Sequence, residues 1–225
     1  MSEGGRPVAE VVWPPRSTVP RNDSLEPVVD ALRSGGMIVY PTETVYGLGT
    51  AVGAGNAGLA RIRAAKGSPP GRPFLVLAAD VGRAFALWAR VPPLARRLAA
   101  AAWPGPLTLV GAARDGLPSD LLGLEGDVPT VSVRVPGDAR LRCLLQRLGD
   151  ALVSTSANLS GEPAPRSLGN VSVAALSPDL VVDGGVSSAG PPSTLISVVG
   201  APRILRAGAW DLPAEFRGLA DEEPS

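Results

Sequence analysis

The sequence predicts an α/β fold, a single domain in which a mixed β-sheet is flanked by helices. Three observations lead to this prediction. Helix and strand patterns alternate in the first half of the chain, strand patterns dominate the second half, and 225 residues with 45% hydrophobic side chains can bury one sizeable core. Strict alternation would indicate a doubly wound parallel sheet, so the late run of strands favours strands of mixed direction.

The N-terminal part of the chain predicts an arm followed by a helix and a strand. Residues 1–22 are rich in proline, glycine and charge, and are predicted to be an arm or tail. Asp23 offers a helix N-cap, and the Gly-Gly pair at 35–36 is typical of a helix end. The apolar run 37–40 then predicts a short buried strand that ends at Pro41.

The middle of the chain alternates loops, helices and strands. Asp80 is a candidate cap, and proline is tolerated in the first turn of the helix opened by Pro92 and Pro93. The predicted elements are, in order, a polar loop over 41–49, a helix over 57–65, a strand over 74–79, a helix from Asp80 to about Ala89, a helix from Pro92 to Trp103 and a strand over 107–113.

The C-terminal half is dominated by strands. In the period-two run 130–136, Thr130, Ser132 and Arg134 share one face and the intervening valines share the other. The further predicted elements are a helix over 138–148 and strands over 151–157, 179–185, 193–200 and 202–208. The proposed organisation is therefore an arm or tail over 1–22, a domain over 23–210, and a tail over 211–225 with one short helix.

The composition excludes several kinds of chemistry. The chain has no histidine and one cysteine, Cys143, so it cannot use a Ser-His-Asp triad, a histidine-ligated metal or an internal disulfide. The net charge of zero argues against a general polyanion binder. No apolar run reaches about 18 residues and no signal peptide is recognised, so we expect a cytoplasmic protein with no membrane partner.

Hydroxyl-rich segments follow three predicted strands, namely "PTET" (41–44), "STSANLSG" (154–161) and "PPST" (191–194). Loops at strand ends are where open α/β sheets hold ligands, and hydroxyl groups with backbone N–H groups suit phosphate or carboxylate oxygens. Arg134 and Arg206 lie at strand ends and can bind such anions with both guanidinium nitrogens. The alternative that these Ser, Thr and Asn residues only form turns remains open.

The order of seven motifs carries a resemblance. They are "GGMIVYPTETVYGLG", "AAKG", "WPGPLTLV", "TVSVRVPGD", "VSTSANLSGEPAP", "PSTLISV" and "ILRAG". From about Ser24 to Gly208 the chain resembles the YrdC-like domain family. The resemblance implies an open, twisted sheet with a large concave substrate cleft. It also implies threonylcarbamoyl-AMP synthase activity, in which L-threonine, bicarbonate or CO₂, and ATP give threonylcarbamoyl-AMP and pyrophosphate.

The same resemblance implies partners and site residues. Mg²⁺ arrives with ATP, and partner modification proteins transfer the product to tRNA. The implied threonine-binding residues are Thr42, Thr44, Arg134, Ser193 and Thr194. The implied ATP-binding residues are Lys66, Arg72, Thr130, Ser154, Ser156, Asn158 and Arg206. Lys66 is the implied catalytic group, stabilising phosphate charge together with Arg206 and Mg²⁺, and no general base is named.

Two positions depart from the family pattern. Ser68 stands where the family has the arginine of a Lys-x-Arg motif, and Leu77 stands where it has a histidine. Arg72 is expected to restore part of the lost charge. The departures leave two further hypotheses: a divergent paralogue that binds nucleotide or RNA without this activity or carbamoylates another substrate, and a non-catalytic interaction protein that keeps the fold.

Overall fold

The computed structural model describes residues 8–68, 73–187 and 190–219. Within these ranges, eleven strands form one mixed sheet flanked by helices, so the predicted fold class is confirmed. The strands are β1 (Ala9–Val12), β2 (Ile38–Pro41), β3 (Tyr46–Ala51), β4 (Leu75–Leu77), β5 (Leu107–Ala112), β6 (Gly123–Glu125), β7 (Val128–Arg134), β8 (Leu152–Ser156), β9 (Leu180–Asp183), β10 (Thr194–Ser197) and β11 (Arg203–Arg206).

Six α-helices lie in the described ranges. They are α1 (Asn22–Arg33), α2 (Gly55–Lys66), α3 (Val81–Phe85), α4 (Pro93–Ala102), α5 (Ala139–Leu148) and α6 (Val173–Leu176). Short 3₁₀ turns lie at Val52–Ala54, Ser119–Leu121, Leu168–Asn170 and Ala214–Leu219, the last of which supplies the short helix expected in the C-terminal tail.

The sheet has the strand order β1-β9-β2-β3-β8-β4-β7-β5-β10-β11, and β6 pairs with β7 outside this path. Parallel and antiparallel pairs are mixed along it, with three consecutive antiparallel pairs from β2 to β4. For example, β7 pairs with β4 in parallel and with β5 and β6 in the antiparallel direction. Strands β4 and β6 both pair with the same edge of β7. Strand β4 pairs with the C-terminal part of β7 and β6 with its N-terminal part. Since β5 pairs with the opposite edge, β7 lies inside the sheet.

The two faces of the sheet carry different side chains. Because successive residues of a strand point to opposite faces, Val131 and Val133 enter the larger apolar cluster, which includes residues of α2 and α4. Thr130, Ser132 and Arg134 point to the other face, as the sequence predicted. There α1 and α5 cover the apolar part of the sheet, including Tyr40, Leu77 and Leu152. On the same face, polar strand residues lie outside the area that α1 and α5 cover.

Several element boundaries differ from the predictions. Helix α1 begins at Asn22 with Arg21 at the N-cap and no side-chain capping bond, so Asp23 is not the cap. Helix α3 ends at Phe85, short of the predicted end near Ala89. The predicted loop 41–49 contains the beginning of β3, because this glycine-rich segment pairs with both β2 and β8.

The predicted N-terminal arm is part of the folded domain from residue 9 onward. Its strand β1 pairs in parallel with β9 at the edge of the sheet. Trp13 is 3% exposed and packs in the α1 and α5 cluster, with the guanidinium of Arg140 over its ring at 5.6 Å. Arg140 is itself fully buried and donates to the carbonyl oxygen of Pro14 at 2.8 Å. The arm therefore contributes core contacts.

Across the ranges that the structure describes, we find no helix with the length and apolarity that a membrane crossing requires.

Candidate functional site

An ion pair joins the loop after β2 to the end of β7. Nη2 of Arg134 donates to Oε1 of Glu43, and Nε of Arg134 donates to the carbonyl oxygen of Gly105 at 2.9 Å. The same Glu43 oxygen accepts a 2.7 Å bond from the backbone N–H of Gly137. Strands β2 and β7 are four places apart in the sheet, so a contact between side chains at their ends requires the sheet to curve around this face. This face is therefore concave between the two strands, and its use as a substrate cleft stays a prediction.

The loop that carries Glu43 is held by its own threonines. Oγ1 of Thr42 donates to the carbonyl oxygen of Val45 at 2.7 Å and accepts from the backbone N–H of Thr44 at 3.2 Å. The Thr42 and Thr44 hydroxyls lie 3.2 Å apart. Both residues are buried, and they bring the predicted threonine-binding loop beside Arg134 through Glu43.

Two contacts from distant parts of the chain fix the same loop. The carbonyl oxygen of Thr42 accepts from Nη2 of Arg16 at 2.6 Å and from Oγ of Ser187 at 2.9 Å. Arg16 also lies 3.5 Å from the carboxylate of Asp138, which caps α5. The N-terminal arm thus positions the loop directly.

Tyr40 and Ser154 lie next to this ion pair. The phenol of Tyr40 donates to the hydroxyl of Ser154 at 2.6 Å. Burial raises the pKa of Tyr40 well above its usual range, and the charges of Arg134 and Glu43 both reach its phenol. A Cβ at Gly47 would lie 2.8 Å from the Tyr40 ring, and one at Gly49 would lie 3.0 Å from it. The glycines of β3 are therefore needed where the ring covers the strand.

Lys66 anchors the segment after β8. Its Nζ donates to the carbonyl oxygens of Ser156 at 2.5 Å and Asn158 at 2.7 Å, with Oδ1 of Asn158 at 3.3 Å. Lys66 ends α2 and is 7% exposed. An ammonium has three donors, so these contacts engage its hydrogen-bonding capacity and shape the loop that carries Ser156 and Asn158.

A cavity of about 320 Å³ opens beside Lys66. Three of the residues predicted to bind ATP, Lys66, Ser156 and Asn158, lie together in its wall. Arg63, which the sequence analysis did not single out, lines it as well and stacks its guanidinium 4.5 Å from the centre of the Phe74 ring. The cavity wall combines two cationic groups and several hydroxyl groups with one carboxylate, that of Glu162, so its charged groups sum to a positive charge that suits an anionic ligand.

Ser193, Thr194 and Arg206 form a third group on β10 and β11. Arg206 donates through Nη2 to the carbonyl oxygen of Ser193 at 2.9 Å, and the Ser193 hydroxyl lies 2.8 Å from that of Thr108. The Thr194 hydroxyl donates to the carbonyl oxygen of Trp210 at 2.8 Å. Arg206, assigned to ATP by the resemblance, is thus bonded to Ser193, assigned to threonine. Thr194 binds the C-terminal segment.

The remaining predicted site residues lie at the borders of the cleft or outside the described residues. Thr130 is buried, and a Cβ at its partner Gly123 would lie 3.0 Å from the Thr130 hydroxyl and 3.2 Å from Pro73, which lines the cavity. Arg72 lies outside the described residues, so its predicted compensation for Ser68 stays a prediction.

The two departures from the family pattern have different surroundings. Ser68 lines the cavity with Lys66 and donates its backbone N–H to the carbonyl oxygen of Arg63 at 3.1 Å. Leu77 is 2% exposed, belongs to the α1 and α5 cluster and pairs with Arg134 in the β4–β7 register. It therefore places an apolar side chain next to Arg134.

Sequence reasoning missed Glu43, Arg63 and Arg16. Arg63 precedes Lys66 by three residues on a helix, a spacing that puts both on one side and could have identified it. Glu43 lies between the candidate residues Thr42 and Thr44. Its partner Arg134 is 91 residues away in the sequence, so no local spacing reveals the pair. Within the described ranges, no group of three or more His, Cys, Asp or Glu is placed to hold a metal ion.

Comparisons with known proteins give a consistent picture. The Sua5/YciO/YrdC family profile, described as "Telomere recombination", matches residues 30–208. A threonylcarbamoyl-AMP synthase from Thiobacillus denitrificans is 36% identical over 85% of this chain and all of its own length. One from Pyrococcus abyssi is 34% identical over 77% of this chain and 50% of its own.

A solved structure extends the comparison to the fold. Pyrococcus abyssi Sua5 complexed with L-threonine superposes with a TM-score of 0.79 at 28% identity, covering 94% of this chain and 60% of that one. This chain therefore spans between half and three fifths of the Pyrococcus protein's length, and the full length of the Thiobacillus relative.

Proposed function

Because the chain belongs to the Sua5/YciO/YrdC family, we propose that it is a threonylcarbamoyl-AMP synthase that uses L-threonine, bicarbonate or CO₂, and ATP. Relatives named for this activity share 34–36% identity with this chain, and the similar structure of Pyrococcus abyssi Sua5 is a complex with L-threonine. The proposed catalytic unit is the domain over residues 23–210 together with the arm that packs on it from residue 9 onward.

The observation that carries the proposal is the arrangement of β8. Ser154, which the resemblance assigned to ATP, is bonded to Tyr40 beside the Glu43–Arg134 pair. Ser156, two residues later, lies in the wall of the Lys66 cavity. Two residues of a strand span about 7 Å, so one strand links an amino-acid site to an anion site. A synthase that joins an amino acid to a nucleotide requires two such neighbouring sites.

Arg134 is proposed to bind the threonine carboxylate. Its side chain is 6% exposed, so a bound carboxylate would be shielded from water and held more strongly than at the surface. The loop with Thr42 and Thr44 forms one side of this site. Ser193 is proposed to close the other side, with Arg206 holding its backbone. Thr194 is proposed to support this closure through its bond to Trp210.

The triphosphate of Mg²⁺-ATP is proposed to bind in the Lys66 cavity. Arg63 and Lys66 supply positive charge, and Ser156 and Asn158 supply hydrogen-bonding groups. A phosphate oxygen would exchange for one of the acceptors of Lys66, the weakest being Oδ1 of Asn158 at 3.3 Å. Mg²⁺ enters as part of the nucleotide substrate and is held mainly by its phosphates.

The proposed reaction needs proximity and charge neutralisation rather than a histidine. The α-ammonium of threonine loses one proton, and the resulting amine combines with CO₂ to give a carbamate with the release of a second proton. A carbamate oxygen then attacks the α-phosphorus of ATP, and the bond from that phosphorus to the bridging oxygen breaks as pyrophosphate leaves. Positive groups around the phosphates stabilise the charge that develops in this step. The product is proposed to pass to tRNA-modifying partner proteins in the cytoplasm.

The test is pyrophosphate release by the purified protein, with each substrate omitted in turn. We expect release only when ATP, L-threonine and bicarbonate are all present. Release that is independent of threonine, or no release under any condition, would contradict the proposal. Binding of RNA in the absence of threonine-dependent turnover would instead favour the divergent-paralogue hypothesis.

A further inference from the structure

The carboxylate of Glu43 has one oxygen that is bonded and one that is not. Oε1 accepts from Arg134 and from Gly137, whereas Oε2 is buried and has no hydrogen-bond partner among the described residues. The Glu43 side chain is 19% exposed and that of Arg134 is 6% exposed. The pair is therefore largely shielded from water, and one carboxylate oxygen of Glu43 is left without a hydrogen-bond donor.

An unused buried acceptor of this kind is costly. Leaving a buried polar atom without a partner costs free energy, and the cost is larger when the group is charged. Native proteins satisfy nearly all such atoms, so Oε2 needs a partner from outside the described residues, and a bound ligand can supply it. The missing partner must be a hydrogen-bond donor, and a carboxylate favours one that is positively charged.

Charge balance distinguishes between ligands. Two of the five N–H donors of Arg134 are bonded, to Gly105 and to Glu43, and a ligand carboxylate that takes the Nη2 donor displaces Glu43 from it. A simple anion would then leave two carboxylates competing for one guanidinium in a shielded site. A zwitterion avoids this conflict, because its cationic group can pair with Glu43 while its carboxylate pairs with Arg134.

We propose that Glu43 receives the α-ammonium of the amino-acid substrate, and that the Glu43–Arg134 ion pair opens to admit a zwitterion between its two members. The inference rests on the proposed function and adds a specificity-determining residue to it. The ammonium supplies the donor that Oε2 lacks, and the two charges of the pair are matched by the two charges of the ligand. The site then selects α-amino acids over carboxylates that have no amine.

The surroundings of Glu43 suit this role. The loop around it is fixed by the Thr42 hydroxyl and by the bond from Arg16, so the backbone need not move for the side chain to swing. A Cβ at Gly137 would lie 3.2 Å from Oε1 of Glu43, so this glycine leaves the room that the carboxylate occupies in the ligand-free pair.

A competing explanation makes the opposite prediction. If Glu43 only occupies Arg134 until a carboxylate displaces it, then neutralising Glu43 removes a competitor and tightens binding of every carboxylate. If Glu43 holds the ammonium, neutralising it weakens L-threonine and spares an analogue in which a hydroxyl replaces the amine. The two explanations therefore differ in the sign of one measured change.

The experiment measures dissociation constants by calorimetry for L-threonine and for 2,3-dihydroxybutanoate, its hydroxy-acid analogue. The proteins are the wild type, Glu43→Gln, Glu43→Asp and, as a matched control, Glu26→Gln, whose ion pair with Arg147 lies on the surface. A charged hydrogen bond contributes about 1.5–3 kcal/mol, which corresponds to a change of roughly 10- to 150-fold in the dissociation constant.

We expect the wild type to prefer L-threonine by at least about 10-fold, and Glu43→Gln to lose this preference by weakening L-threonine alone. Glu43→Asp should recover part of it, and Glu26→Gln should match the wild type. Unchanged or tighter L-threonine binding by Glu43→Gln overturns the inference. Equal binding of both ligands by the wild type also overturns the inference, and this measurement requires no variant. A wild type that binds neither ligand refutes the proposed function first.

Discussion

The ammonium of Lys66 lies 2.5 Å from the backbone carbonyl oxygen of Ser156, at the point where α2 meets the end of β8. This contact connects the anion cavity to the strand that also carries Ser154. Lys66 therefore has a structural role, in shaping the loop, in addition to the proposed role in binding phosphate. The two roles can be separated, because stability is measurable without nucleotide.

Replacing Lys66 with methionine is expected to destabilise the protein by about 1–3 kcal/mol, since the carbonyl oxygens of Ser156 and Asn158 would lose their buried donor. Urea denaturation measures the change. Arg61→Met is the control, because Arg61 lies on the same helix in an exposed ion pair with Asp179 and should contribute about 0–1 kcal/mol. Equal effects of the two substitutions would show that the Lys66 contacts carry no special weight.

Chemical labelling can test the cavity as a nucleotide site, because Lys66 is the only lysine in the sequence. An acyl-phosphate derivative of ATP, which transfers its acyl group to a nearby amine, is expected to label the peptide that contains Lys66. Excess ATP should prevent labelling. Peptide mass spectrometry reads the result, and Lys66→Arg shows the background. Labelling of Lys66 that ATP does not reduce would place the nucleotide elsewhere.

Tyr40 is expected to make stability fall at alkaline pH. Burial raises the pKa of Tyr40, so the folded protein keeps the phenolic proton where the unfolded chain, with a pKa of about 10, releases it. Unfolding then releases protons, so this contribution is complete below about pH 10 and declines as pH rises. Denaturation midpoints between about pH 8 and 11 measure the slope.

The variant Tyr40→Phe should reduce this slope while lowering stability by about 1 kcal/mol at neutral pH, because it removes the hydrogen bond to Ser154. Burial also raises the pKa of Tyr46, so some alkaline loss should remain. The same slope in wild type and Tyr40→Phe would mean that Tyr40 titrates normally.

Arg16→Ala is expected to weaken L-threonine binding while costing little stability. The ion pair of Arg16 with Asp138 is long at 3.5 Å, and the fully buried Asp138 keeps its bonds from Arg140 when Arg16 is removed, so its loss should cost about 0–1 kcal/mol. Its bond to the carbonyl oxygen of Thr42 fixes the loop that carries Glu43, and loosening this loop should weaken binding several-fold. Calorimetry measures the effect, with the exposed Arg21→Ala as control. If both variants bind alike, the arm does not position the loop.

Much of the fold was predictable because its pattern is local. The valines of β7 alternate with polar residues, and α4 and α5 begin at proline and aspartate positions that favour a first turn. Strands β1 and β3 were missed for physical reasons. The sequence AEVV of β1 is mostly exposed at an edge, and the glycines of β3 suit a strand only because Tyr40 covers them.

The order of motifs along the chain identified the hydroxyl groups and Arg134 as candidates, and their binding roles stay predictions. The ion pair between Glu43 and Arg134 could not be predicted from the sequence, because it depends on the curvature of the sheet between the two residues. The engagement of Lys66 by backbone carbonyls was also hidden, since backbone acceptors leave no mark in a sequence.

The central claim is that the amino-acid site and the nucleotide site act together on one reaction. Its most direct test is mass spectrometry of the products formed from ATP, L-threonine and ¹³C-bicarbonate. We predict an adenylate that contains threonine and one additional ¹³C atom, formed together with pyrophosphate. If ATP and threonine bind and no such adenylate forms, the account is contradicted.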